Sequence, residues 1–414
     1  VIAFFQNLNP KQCKELFIEL LLLFFFSTLL IIGKKNVYFV VPAILLLAGV
    51  WNMVRFPALA INFFKRSYPL TLTFFSYSFC AVLLAFWHQD SFSSIKFHCL
   101  PLFLCPVFFL LSLYLCHPRA LYYIFPISSW LVALLAIYDK YALHFERALE
   151  NAQPVIPAAG VAITFSLFCG VFFFERYHDG LRYRLFALSG VIMGLIASLL
   201  TGSRGAWLCF PIVAVALLIY YRRKIPSYVL HLLIPSMILA IIIMLLLTKS
   251  GLLLRLMQLK TDLEWYFFSH NANSSIGLRF EFWKSAWAGF LQHPFSGWGE
   301  KGYLTLKDAQ YQQGLIIKEA LPFVHAHNQF LDAMVKRGIF MFITTCALFL
   351  VPLIFFIHYH QRFPMISLLG IILIFNVFTF CLTDSFLNLP LGMIAYMILL
   401  ILLLTYFFYR DERR

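Results

Sequence analysis

The sequence predicts an all-α, polytopic membrane protein with about twelve membrane-spanning helices, forming one integral membrane domain over residues 1–414. Three observations predict it. Charge is scarce: 62% of residues are hydrophobic and 12% are charged, against roughly 25% charged in a soluble domain. A water-facing surface cannot be built from so few charges. Apolar runs near the length a bilayer core demands, about 20 residues as a helix, recur from Leu16 to Tyr409. Lastly, the basic residues crowd onto alternate breaks between those runs.

The spans read in order. Leu16–Ile32 is too long for a cleaved signal peptide and lacks a small-residue cleavage site, so it is expected to serve as an uncleaved signal anchor. Val37–Val54, Leu70–Trp87, Leu100–Cys116 and Leu121–Tyr138 follow, divided by charged or turn-rich breaks. Next come Val155–Phe174, Leu185–Leu200, Ala206–Tyr221 and Tyr228–Leu247. Ile339–Ile357, Ile366–Cys381 and Pro390–Phe408 complete the set. Each must be helical, because lipid offers no partner to an open strand edge. The nine cysteines lie mostly inside these runs and form no CxxC pair, which reads as small hydrophobic side chains.

Orientation follows from lysine and arginine. With the N-terminus in the cytoplasm, Lys11, Lys14, Arg55, Lys65, Arg66, Arg119, Arg176, Arg182, Arg184, Arg222, Arg223, Lys224, Arg362, Arg410, Arg413 and Arg414 all fall inside. Only Lys34, Lys35, Lys96, Lys140, Arg147 and Arg204 fall on short external breaks. That bias obeys the positive-inside rule, so the net charge of +14 reports topology and needs no nucleic acid to explain it. Residues 248–337 stand apart as a large external loop, far longer than a connector requires. Loops of that size escape the charge count and commonly carry function.

Three motifs on the external side bear the chemistry. Thr201-Gly202-Ser203-Arg204-Gly205-Ala206-Trp207 is a tight turn with Arg204 at its tip. An interfacial, snorkelling arginine is the bland alternative. Gly277-Leu278-Arg279-Phe280-Glu281-Phe282-Trp283 opens an aromatic, amphipathic helix, with Ser274 or Ser275 as its cap and His293-Pro294 as its end. Arg279 would sit in its first turn, opposing the helix dipole unless an anion binds; solvation or pairing with Glu281 is the alternative. The third motif is His325-Ala326-His327-Asn328-Gln329-Phe330-Leu331-Asp332. A His-x-His pair first suggests metal, but residues two apart diverge on a helix and no neighbouring ligand completes a set. A histidine at the membrane mouth can instead serve as a general base near neutrality.

Arginine forks bind phosphate oxygens bidentately, and two of them can stabilise a diphosphate leaving group without a metal. With a base for an attacking hydroxyl, the set suits transfer of a group from a lipid diphosphate outside the cytoplasm. These motifs, with the HPFSGWG segment and Gly338 after the HNQFLD element, resemble the bacterial O-antigen ligase and polymerase family over roughly Leu200 to Phe342. The resemblance implies a twelve-helix inner-membrane enzyme related to the lipid-dependent C-type glycosyltransferases, its large periplasmic loop containing helices. It implies transfer of O-antigen polysaccharide from undecaprenyl diphosphate to lipid A-core, with inversion and without metal, ATP or other cofactor. By motif, His327 would be the general base and Arg204 and Arg279 the diphosphate holders, with His325 orienting His327 or the acceptor. An O-antigen polymerase would use the same donor. A lipid or solute transporter would need ionisable residues at the midplane, and the spans are almost free of them.

Overall fold

Every regular element among the described residues is a helix. The computed structural model describes residues 9–30, 39–114, 117–150, 154–226, 261–262, 264–268 and 272–409, and of residues 204–208 the backbone alone. The expected span Tyr228–Leu247 lies outside the described residues.

The first helix, α1 (Pro10–Thr28), starts in a capping box: the Asn9 side chain accepts from the Gln12 N–H, and Gln12 returns the bond to the Asn9 N–H. α2 (Val40–Arg55) turns through 109° into α3 (Pro57–Arg66). Proline forces the turn, since it disfavours the helical region for Phe56 before it, which adopts φ −129° and ψ 61°. α4 (Tyr68–Trp87), α5 (Cys105–Leu113), α6 (Pro118–Tyr141), α7 (Val155–Glu175), α8 (Leu181–Leu200) and α9 (Arg204–Tyr221) continue the chain. α10 (Ser275–Gln292) and α11 (Gly299–Gln312) belong to the long loop, before α12 (Gln329–His358), α13 (Pro364–Thr383) and α14 (Pro390–Phe408).

Seven of these, α4, α6, α7, α8, α12, α13 and α14, are single helices long and apolar enough to cross a bilayer; the bent pair α2–α3 would make eight. All seven coincide with expected spans. The expected span Leu100–Cys116 is instead a one-turn helix, Leu100–Phe103, followed by α5. Pro106 lies in the first turn of α5, where a missing N–H does no harm, so the helix restarts there.

The helices sort by how apolar they are all round. α14 is buried along its whole length and α7 nearly so, whereas α8 and α12 bury only a stripe and leave the rest outward. α7 packs against α6, α8, α9 and α13, while α13 is wedged against both α12 and α14. Breaks assigned to one side of the membrane meet in space. Nε2 of His178 contacts the Lys224 carbonyl, and the Tyr220 hydroxyl contacts Nε2 of His360 at 3.0 Å. At the opposite end the Arg147 guanidinium donates to the Thr201 carbonyl, and His88 meets the Ser296 carbonyl.

The described part of the long loop has small cores of its own. One joins Ala286, Tyr303, Leu306, Ala326 and Val335, and the other joins Phe282, Ile316 and Ala320. The loop docks where α12 breaks. Gly338 adopts φ 70°, and an added Cβ would collide with the Phe295 carbonyl. Around that break the Ile339 N–H donates to the Pro294 carbonyl, and the Trp298 N–H donates to that of Val335. Gly297 meets the Lys336–Arg337 backbone just as closely. The HPFSGWG segment and Gly338 are thus two halves of one joint.

Candidate active site

The joint sets the N-terminal part of α12 beside the end of α13. Asn328 caps α12, its side-chain oxygen accepting from the Phe330 and Leu331 N–H groups, while its amide donates to the Leu382 carbonyl. Gln329 accepts from the Leu387 N–H and donates to the Asn388 side chain. Asp332, 1% exposed, accepts from the Ala326 N–H and from Asn388, and pairs with Lys336 at 3.2 Å. Lys336 in turn reaches Glu300 at 2.8 Å. The bonds of Gln329, Asp332 and Lys336 satisfy groups that would otherwise be buried unpaired. Together they lash the His325–Asp332 segment to residues 382–388.

That lashing brings His327 to Asp384. Nδ1 of His327 lies 3.1 Å from Oδ1 of Asp384, which also accepts from the Ser385 N–H. Burial by itself would raise the Asp384 carboxyl, but the His327 hydrogen bond and charge outweigh it and hold the group below its usual range. An ionised Asp384 keeps the proton on Nδ1 of His327 and leaves Nε2 basic. The imidazole stacks on Phe282 with centroids 5.3 Å apart and meets Phe323 edge-on. His327 holds φ 47°, a left-handed backbone that costs a non-glycine residue about 1–3 kcal/mol. The lashed segment on either side over-determines it.

His325 stands in a T-shaped contact with His327, centroids 4.3 Å apart. Burial pushes its imidazole below the usual value, so it is neutral at physiological pH. The expectation that the two histidines diverge is overturned: residues 325–328 are not helical, and the turn at His327 makes the rings converge. The expectation that no neighbour completes a ligand set is overturned too, because Asp384 does. One ligand atom from each of His325, His327 and Asp384 lies within 4.8 Å of the others, so the three could hold a metal ion.

Arg279 is the fifth residue of α10, one turn beyond the first turn expected for it. Ser274 caps that helix through the Gly277 N–H, as anticipated, and the helix ends at His293. Glu281 does not pair with Arg279. It accepts from the Tyr266 hydroxyl and from the Ile317 N–H. Among the described residues Arg279 makes no hydrogen bond or ion pair. Burial lowers its guanidinium below the usual value, while the charge of Asp384 acts the other way. A half-buried, unpaired guanidinium beside a carboxylate–imidazole pair is a ready anion site.

Arg204 opens α9; its side chain lies outside the described residues. Its backbone can still be placed. Cys209 of α9 lies against Thr379 of α13, and Tyr220 at the other end of α9 reaches His360 just before α13, so the two helices run in opposite senses. Arg204 is five residues before Cys209 and Asp384 five after Thr379, so both rise about 7.5 Å from that contact toward the same end. Arg147 braces the Thr201–Arg204 turn from outside, and the Ala148 N–H donates to the Leu200 carbonyl.

Residues 188–346 match the family model described as O-antigen ligase. Over that stretch the chain is similar to the O-antigen ligase family. The match spans Arg204, Arg279, His325 and His327 and stops short of Asp384. A protein of Haemophilus influenzae described as uncharacterized is 27% identical over 366 residues, covering 87% of this chain and 91% of its own length. Asp384 is the candidate site residue that sequence reasoning missed. Its signal was available: it is the one acidic residue between Asp332 and Asp411, placed in the short break between two long apolar spans.

Proposed function

We propose that this protein is an O-antigen ligase, a metal-independent, inverting glycosyltransferase. It moves O-antigen polysaccharide from undecaprenyl diphosphate to a sugar hydroxyl of lipid A-core. In this reading it crosses the inner membrane twelve times, with both termini cytoplasmic and its site, including the 248–337 loop, at the periplasmic face. The observation that carries the proposal is the His327–Asp384 pair standing beside the unpaired Arg279.

The chemistry follows from those groups. Nε2 of His327 takes the proton of the acceptor hydroxyl as its oxygen attacks the anomeric carbon. The bond from that carbon to the diphosphate oxygen breaks, and its electron pair leaves with the diphosphate. Arg279 and Arg204 hold the charge that develops there. Asp384 stabilises the imidazolium and fixes its tautomer, the part a carboxylate plays behind any histidine base. His325, neutral and in contact with His327, orients the base or the acceptor.

The test is transfer by the purified protein from undecaprenyl-diphosphate glycan, with and without lipid A-core. Glycan on lipid A-core, formed only when that acceptor is supplied, is the expected product. Longer lipid-linked chains without it would make the protein a polymerase. No product from folded protein would reject the transferase reading.

A further inference from the structure

Three donor groups converge at this site more tightly than general-base chemistry requires. A tetrahedral Zn²⁺ site has bonds of about 2.0–2.2 Å, which sets neighbouring ligand atoms about 3.3 Å apart. Nδ1 of His327 and Oδ1 of Asp384 are already 3.1 Å apart, and one atom of His325 completes a group whose members all lie within 4.8 Å of one another. Nδ1 of His325 is buried and has no hydrogen-bond partner among the described residues. It is a buried nitrogen without an assigned use. Two imidazoles and a carboxylate, with a fourth position open, are the donor set of zinc and not of magnesium.

We infer that His325, His327 and Asp384 form a three-ligand Zn²⁺ site whose occupation switches transfer off. The ligand geometry stands by itself; the consequence for activity rests on the transferase reading above. Bound through Nε2, zinc would occupy the basic nitrogen. Bound through Nδ1, it would take the place of the proton shared with Asp384 and withdraw electron density from the ring. Either way the acceptor hydroxyl loses its base. The positive charge of Arg279 close to Asp384 opposes a second cation, which makes the site an exchangeable one that responds to zinc in its surroundings.

The experiment uses the full chain in lipid nanodiscs, stripped of metal, with Zn²⁺ alone as the probe and a chromogenic chelator as competitor. The expected result is one zinc per chain, with a higher melting temperature when zinc is bound. His325→Ala and Asp384→Asn should each weaken binding at least about tenfold, the lower end of what even outer-shell partners are worth. His358→Ala, at the other end of the helices, should change nothing. If His325→Ala does not fold, His325→Phe keeps a ring against His327 and removes the ligand. Transfer should fall in step with zinc occupancy, return on chelation and ignore Mg²⁺. Absent stoichiometric binding, equal binding in the folded ligand variants, or turnover that zinc leaves unchanged or raises would overturn the proposal. Binding needs no donor or acceptor. Intact zinc binding with no transfer under any condition would therefore strike the transferase reading and leave the metal site standing.

Discussion

His327 and Asp384 are 57 positions apart in the chain and 3.1 Å apart in space, joined through Nδ1 and Oδ1. The bond depends on polar groups that cross between two separate helix ends. Asn328, which caps α12, and Gln329 and Asp332 within it reach Leu382 in the last turn of α13 and Leu387 and Asn388 beyond it. It also depends on a backbone at His327 that few residues adopt willingly.

His327→Ala should abolish transfer in a protein that still inserts and folds. Loss of a positioned base costs about 10²–10⁴-fold, and removal of the left-handed imidazole leaves the lashing bonds of Asn328, Gln329 and Asp332 intact. Turnover within tenfold of wild type would move the base elsewhere.

Arg279→Lys tests bidentate recognition. A lysine keeps the charge but loses the planar fork, so transfer should drop about 10²-fold or more, the scale of one lost oxyanion donor. Because Arg279 has no partner to abandon among the described residues, thermal stability should be unchanged or slightly raised. A large loss of stability would make the arginine structural.

Asp384→Asn should be less stable than wild type at neutral pH by about 1.5–3 kcal/mol, the range for a hydrogen bond to a charged group. Its folded carboxyl titrates below the unfolded value of about 3.9. The unfolded chain therefore binds the proton first as pH falls, and the contribution, full above about pH 3.9, is lost as pH drops through the folded value. Thermal unfolding at pH 7 and near pH 3 should show the gap between the two proteins narrowing in acid. A constant gap would mean the charge is not the source.

Gly338→Ala should fail at the joint. The new Cβ meets the Phe295 carbonyl and the position needs φ 70°, so the loop and α12 cannot keep their contacts. We expect a loss of at least about 1–3 kcal/mol, read as reduced melting temperature and lost transfer together. Gly180→Ala is the comparison: its φ is also positive, but nothing crowds the added atom, so only the backbone strain should show.

Asp332→Asn probes the lashing. It leaves Lys336 buried with Glu300 alone, and breaking a buried ion pair costs about 3–5 kcal/mol. The acceptor for the Ala326 N–H survives, so stability should fall more than the turnover of the folded fraction. Equal losses in both would place Asp332 nearer the chemistry than its hydrogen bonds indicate.

Most of the helical plan was legible because one physical rule governs it. In lipid a span must be apolar and must satisfy its own backbone, so length and hydropathy alone marked α4, α6, α7, α8, α12, α13 and α14. The same reasoning merged Leu100–Phe103 with α5 and left α3 inside the break between Val54 and Leu70, because hydropathy records burial and is indifferent to direction. In the site, Arg204, Arg279, His325 and His327 announced themselves by their motifs. Arg204 stood out as a cation on a short break where the positive-inside rule expects few, and Arg279 as a cation set against a helix dipole.

What the tertiary structure alone decided was convergence. Asp384 carries no local motif, and a rule that counts only basic residues passes over it. The rings of His325 and His327 meet only because the chain between them leaves the helix, which no spacing argument reveals. By itself the sequence determined which residues had to be buried in lipid and which polar ones were left at the ends. The pairing of those ends was set by packing over long chain separations, through a glycine joint and a few buried hydrogen bonds. Those interactions link residues some fifty positions apart, where neither periodicity nor local propensity carries information.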